Sequence, residues 1–102
     1  LQNLQYLSLD NNQLKSLPSE IRNMKNLISI LIENNQLKNL PFEIGQLENL
    51  EMLWLSQNPI IDLPDEIVML KKIKFLYIYE TQISLERTKE LRKRMPFTQI
   101  LK

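Results

Sequence analysis

The chain has 102 residues, 43% hydrophobic and 25% charged, with a formal net charge of +1, a composition suited to one globular domain with a small core. It contains no Cys and no His, which excludes disulfides, argues against zinc or iron sites, and removes both the thiol nucleophile and the commonest general base. Gly45 is the only glycine, so no glycine-rich loop can cradle a phosphate, and no apolar run approaches the roughly 20 residues of a membrane helix.

Leu1 is followed at once by Gln2 and Asn3, which is not the opening of a signal peptide. The first residue is not Met, which fits a chain whose leader or further domain has been removed. Charge is unevenly spread. Residues 1–83 carry 7 Lys/Arg against 10 Asp/Glu, whereas residues 84–102 carry 6 against 2.

Leu1-Gln2-Asn3 matches Leu47-Glu48-Asn49, so the chain opens on the last three positions of a repeating unit. A period of 23 residues then governs nearly all of it. Leu4, Leu27, Leu50 and Ile73 are one period apart, as are Leu7, Ile30, Leu53 and Leu76, and Leu9, Ile32, Leu55 and Ile78. Asn12, Asn35 and Asn58 follow, with Thr81 in the fourth place, and then Leu14, Leu37, Ile60 and Ile83. Pro18, Pro41 and Pro64 recur too, followed by Ile21, Ile44 and Ile67 and by Met24, Leu47 and Leu70. Full units therefore occupy 4–26, 27–49 and 50–72, and 73–102 is a last unit with its cap; together they make one domain over 1–102.

Each unit contains a short stretch of period-two apolar spacing, the mark of a strand with one buried face. The spacing predicts strands near 6–9, 29–32, 52–55 and 75–78. Leu17, Ile21 and Met24 then have helix-like spacing. Pro18 suits the first position of a helical turn, and Glu20 the positive end of its dipole. One unit cannot bury its own apolar face, but stacked units share a continuous core.

The repeat L-x-x-L-x-L-x-x-N-x-L-x-x-L-P-x-E-I-x-x-L-x-x resembles the leucine-rich-repeat family in its 23-residue form. The L-P-x-E-I-x-x-L second half is similar to the Ras-suppressor-type group and to the repeat proteins of pathogenic spirochaetes. The resemblance implies an α/β solenoid curved into an arc. Its parallel sheet would lie on the concave face and short helical or 3₁₀ segments on the convex face. It also makes the Asn12, Asn35 and Asn58 column structural, each amide bonding backbone groups freed where a strand turns; the competing reading is ligand contact.

After Ile83 the pattern stops. Glu86 stands where a Leu is expected and Arg87 where a Pro is expected. Ser84 can cap a helix over about 85–95, with Thr88, Leu91 and Met95 along one stripe. Pro96 ends it, and 97–101 reads as a final strand. This is a C-terminal cap. Its cations Arg87, Lys89, Arg92, Lys93 and Arg94 read as a solvated face near a helix C-terminus, in preference to a surface for nucleic acid or an acidic membrane.

If the repeat columns point inward, their neighbours line the outer sheet. These are Tyr6, Ser8 and Asp10; Ser29, Leu31 and Glu33; Met52, Trp54 and Ser56; Phe75, Tyr77 and Tyr79. Five of the seven aromatics fall on these positions, where an almost wholly Leu/Ile core does not need them. Trp54 and Tyr77 should stand side by side, flanked by Met52 and Phe75 and extended by Leu31, a cluster large enough for a binding hot spot. The alternative is cross-strand pairing that only stabilises the sheet. Asp10 and Glu33 read as a solvated acidic rim, too small for a calcium site. Phe42 reads as an ordinary convex surface residue.

The expected function is recognition of another protein through the concave sheet, without catalysis, cofactor or metal, and without nucleic acid. The spirochaete resemblance implies a secreted or surface bacterial protein contacting a host component; the Ras-suppressor resemblance implies an intracellular scaffold. The strand near 6–9 has no neighbour on its N-terminal side, and Leu4, Leu7, Leu9 and Leu14 end the core there. Pairing of two chains through this edge is therefore the second expectation.

Overall fold

A computed structural model of the chain describes residues 2–102. Leu1, expected to cover part of the N-terminal core, lies outside the described residues. Five three-residue strands form one parallel sheet in sequence order: β1 (Tyr6–Ser8), β2 (Ser29–Leu31), β3 (Met52–Trp54), β4 (Phe75–Tyr77) and β5 (Gln99–Leu101). Leu7, Ile30, Leu53 and Leu76 are paired in register across the first four. Leu76 then pairs with Ile100, so the cap contributes one residue more than a repeat does. Between strands lie 3₁₀ turns, Ser19–Asn23, Phe42–Gln46 and Asp65–Met69, and before β5 the helix α1 (Leu85–Arg94).

The strands are one residue shorter than the apolar spacing predicts. The fourth residue still pairs: Leu9 N–H donates to the Leu31 carbonyl at 2.7 Å, and Leu55 N–H to the Tyr77 carbonyl at 2.8 Å. The chain then turns through left-handed backbone at Asn11, Asn34, Gln57 and Glu80, with φ of 60°, 57°, 61° and 54°. That conformation is costly for most side chains and easiest for Asn among non-glycine residues. The positions form one column at the strand exits.

The asparagines beside this column form an internal ladder. Asn58 Nδ2 donates to the carbonyls of Ile32 and Leu55, each at 2.9 Å, while its Oδ1 accepts from Leu37 N–H at 3.1 Å. Asn35 makes the equivalent bonds to Leu9, Ile32 and Leu14. Each amide thus ties its own strand exit to the preceding repeat. Among the described residues Asn12 bonds only within its own turn, to Leu9 and Asp10 carbonyls, and is exposed. In the fourth repeat Thr81 Oγ1 donates to the Ile78 carbonyl.

The turns on the convex side are 3₁₀, closed by bonds such as Ile21 N–H to the Pro18 carbonyl. The prolines sit one place earlier than expected, capping the turn with extended backbone (Pro18 φ −75°, ψ 157°). The fixed φ of proline suits that extended entry. The inward Leu and Ile columns from the second repeat onward are buried, and Leu27, Ile30, Leu53 and Leu76 are fully so. Leu4, Leu7, Leu9 and Leu14 pack against this core but remain half-exposed.

Ser84 caps α1, its Oγ accepting from Arg87 N–H at 3.0 Å. Thr88, Leu91 and Met95 are buried. The helix ends at Arg94, one residue early, and the last strand begins at Gln99 because Pro96 and Phe97 form a turn. Arg92 Nη2 donates to the Ile100 carbonyl at 2.8 Å, and Lys102 Nζ reaches the Ile83 carbonyl. The Arg92 side chain therefore satisfies a carbonyl of β5, the last strand among the described residues, while Lys102 ties the end of that strand to the segment before α1.

Arg87 does not lie on a solvated face. Its side chain is largely buried against the preceding repeat, with Nε 2.9 Å from Asp62, Nη2 2.8 Å from Asp65 and 2.9 Å from the Leu63 carbonyl, and Nη1 on Glu90. Burial alone would lower its pKa, but the bonds to Asp65, Glu90 and Asp62 outweigh that and raise it. Asp65, hydrogen-bonded to Arg87 and attracted by its charge, is held below the usual carboxylate range. The arginine found at a vacant proline column clamps the cap onto the stack.

Candidate concave-face site

Short parallel strands place the outer side chains in three rows across the sheet. The central row runs Ser8, Leu31, Trp54, Tyr77 and Leu101; beside it run Tyr6, Ser29, Met52, Phe75 and Gln99. Asp10, Glu33, Ser56 and Tyr79 follow at the strand exits, each one repeat from the next.

The Trp54 and Tyr77 rings stack with centroids 3.8 Å apart and planes 22° apart. Phe75 and Tyr77 lie 6.1 Å apart at 18°. Strand spacing near 4.8 Å makes such stacking the natural arrangement for neighbouring rings in one row. Leu31, Met52, Trp54, Phe75 and Tyr77 are half-buried, and Leu101 continues the row beyond Tyr77. The indole N–H of Trp54 is buried without a hydrogen-bond partner among the described residues. An unmade buried bond of this kind costs about 1–3 kcal/mol.

The exit row is built differently from a solvated rim. Asp10 Oδ1 accepts from Glu33 N–H at 2.6 Å, and Ser56 Oγ accepts from Tyr79 N–H at 2.9 Å. Both side chains tie one coil to the next. Ser56 and Ser29 are only 5% and 6% exposed, leaving them little surface to offer. Tyr6 and Tyr79 are well exposed, Ser8 is exposed, and Glu33 is half-buried. Among the described residues, no group of three or more acidic side chains gathers that could hold a metal ion.

Leu101 and Gln99 were not among the residues read from the sequence. The signal was present: Ile100 is the single inward residue of 99–101, so both neighbours must face out. It was masked because the cap breaks the 23-residue register by one.

Two segments, residues 3–24 and 49–70, match the Leucine Rich Repeat family model. A solved leucine-rich-repeat protein of Leptospira interrogans superposes with a TM-score of 0.92, at 40% identity over 95% of this chain. This is a leucine-rich-repeat protein. Similarity to the Leptospira protein extends the spirochaete likeness of the L-P-x-E-I units to nearly the full chain, although the chain spans 25% of that protein's length. An internalin of Listeria monocytogenes shares the leucine-rich-repeat fold, with a TM-score of 0.74 at 21% identity, over 98% of this chain and 34% of the internalin. No curated protein gives a significant match. Among the described residues, no helix of this leucine-rich-repeat chain is long and apolar enough to cross a membrane.

Proposed function

We propose that the chain is a protein-recognition module that binds through its concave sheet and does no chemistry. The observation that carries this is the Trp54–Tyr77 stack, standing on the outer face with Phe75 beside it. The core is built without these rings, and the indole N–H is left unpaired to keep one of them there. Aromatic clusters flanked by aliphatic residues are the usual anchors of protein interfaces. Leu31, Met52 and Leu101 supply that flank, and Tyr6, Tyr79, Ser8, Asp10 and Glu33 form the periphery. The Leptospira likeness supports a bacterial setting, and within that setting our reading is a secreted or cell-surface protein with a host component as partner. An intracellular scaffold is the alternative. The test is calorimetric titration of an affinity-selected partner with wild type, Trp54→Ala and Tyr77→Ala. Unchanged affinity in both variants would move the recognition surface elsewhere.

A second reading is favoured by the N-terminal end of the core. There Leu4, Leu7, Leu9, Leu17, Ile21 and Met24 line an open apolar concavity of about 460 Å³, next to β1, the first strand of the sheet among the described residues. Two copies of the 102-residue chain would cover this surface by pairing end to end. Light scattering at micromolar concentration tests it, with a polar capping repeat added before Leu1 as the control. A monomer indifferent to that cap removes this reading.

A further inference from the structure

Phe97 is 95% exposed, the most exposed large apolar residue among those described, and it is held in that position. On one side Met95 is buried in the core. On the other, Thr98 donates its hydroxyl to the Ile73 carbonyl at 2.8 Å and its N–H to the Met95 carbonyl at 3.1 Å. Gln99 N–H then donates to the Lys74 carbonyl at 2.8 Å. The Pro96–Phe97 turn is thus fixed on both sides against the start of β4, unlike a fraying end.

Its surroundings are cationic. Phe97 borders an open concavity of about 510 Å³ whose walls carry Lys71, Lys72 and Lys74 and one carboxylate, Glu51. Lys74 pairs with Glu51 at 3.3 Å, and Lys72 Nζ donates to Asn49 Oδ1 at 3.0 Å. Lys71 makes no ion pair among the described residues. The asymmetry extends along the solenoid. Residues 1–69 carry nine Asp/Glu against four Lys/Arg, and residues 70–102 carry nine Lys/Arg against three Asp/Glu.

We propose that Phe97, with Lys71, Lys72 and Lys74, docks the solenoid on an anionic lipid surface. The ring enters the boundary between headgroups and acyl chains while the ammonium groups meet lipid phosphates and carboxylates. One protruding aromatic without an apolar surround suits a fluid interface better than a protein pocket. A lone ring also offers no row of stacking platforms for nucleic-acid bases. Weak apolar insertion and a basic patch are two partial signals, either of which alone gives only marginal binding, and stable association with a membrane takes two such signals together. This surface lies outside the concave aromatic cluster and does not depend on it.

Vesicle co-sedimentation tests the proposal, using phosphatidylcholine alone and a phosphatidylcholine–phosphatidylserine mixture. The chain should bind the mixed vesicles, ignore the neutral ones, and be released by raised salt. Phe97→Ser and the double variant Lys71→Glu/Lys72→Glu should each lower partitioning roughly tenfold or more. Both changes are at exposed positions, and circular dichroism checks that the fold is retained. Phe97→Trp should bind the mixed vesicles with a blue shift in emission. Failure to bind them, or binding unaffected by either loss variant, overturns the proposal. So does variant-sensitive binding to a single-stranded oligonucleotide without vesicle binding, which would assign the patch to nucleic acid.

Discussion

Gly45 lies so close to Glu66 that a β-carbon added to it would sit 2.4 Å from the Glu66 carbonyl oxygen. The two residues belong to successive 3₁₀ turns, Phe42–Gln46 and Asp65–Met69, which pack against each other on the convex side. The chain's only glycine is therefore placed by a close backbone approach, not by a turn requiring positive φ.

Gly45→Ala should accordingly destabilise the fold by about 1–3 kcal/mol, the usual cost of overpacking a rigid contact. Chemical denaturation gives the value. A variant as stable as wild type would mean that the two turns can move apart freely.

The asparagine ladder predicts a graded series. Asn58→Ala removes a buried amide that serves both strand exits and a neighbouring N–H. Leaving those groups unpaired should cost about 2–4 kcal/mol. Asn12→Ala, exposed and bonded only within its own turn, should cost under about 1 kcal/mol. Denaturation midpoints of the two variants test this, and equal losses would contradict an inter-repeat role for the amide.

The cap clamp gives a pH dependence with a definite sign. The Asp65 pKa is lowered in the folded state by Arg87 and, secondarily, Arg94. A depressed carboxylate contributes stability above its unfolded pKa and loses it as pH falls through the folded value. Arg87 stays charged throughout and adds no titration of its own. Asp65→Asn should therefore be less stable than wild type at neutral pH. The gap should narrow below about pH 4, where the unfolded carboxylate protonates. A gap independent of pH would mean that the substitution acts through something other than this pair.

The orphan indole separates stability from recognition. Trp54→Phe keeps a ring beside Tyr77 but removes the unpaired donor. Stability should hold within about 1 kcal/mol of wild type, while partner affinity falls. Thermal melts and titration of the same variant compare the two quantities.

The repeat made the stack legible because every inward column repeats at one spacing, so strand positions, register and core followed from Leu and Ile alone. The strand ends were less legible. Asn11, Asn34, Gln57 and Glu80 share a backbone conformation but not a residue type, so no letter marks the turn. The convex turns were read as short helical or 3₁₀ segments without a choice between the two, since Pro18, Ile21 and Met24 fit either geometry. Arg87 was misread because its acidic partners, Asp62 and Asp65, lie more than twenty residues away. For the candidate site, period-two alternation located the Trp54–Tyr77 neighbourhood. It could not show that Ser56 and Asp10 spend their oxygens on the next coil's backbone.

The central claim is that the concave aromatic row is the recognition surface. The measurement that bears on it most directly is calorimetric titration of a selected protein partner with Trp54→Ala and with the convex control Phe42→Ala, each checked for native fold. Phe42 is exposed on the opposite side of the coil. Trp54→Ala should weaken binding by about 2 kcal/mol or more, as loss of a hot-spot aromatic does, while Phe42→Ala binds like wild type. Wild-type affinity in Trp54→Ala, or an equal loss in both variants, would contradict the account.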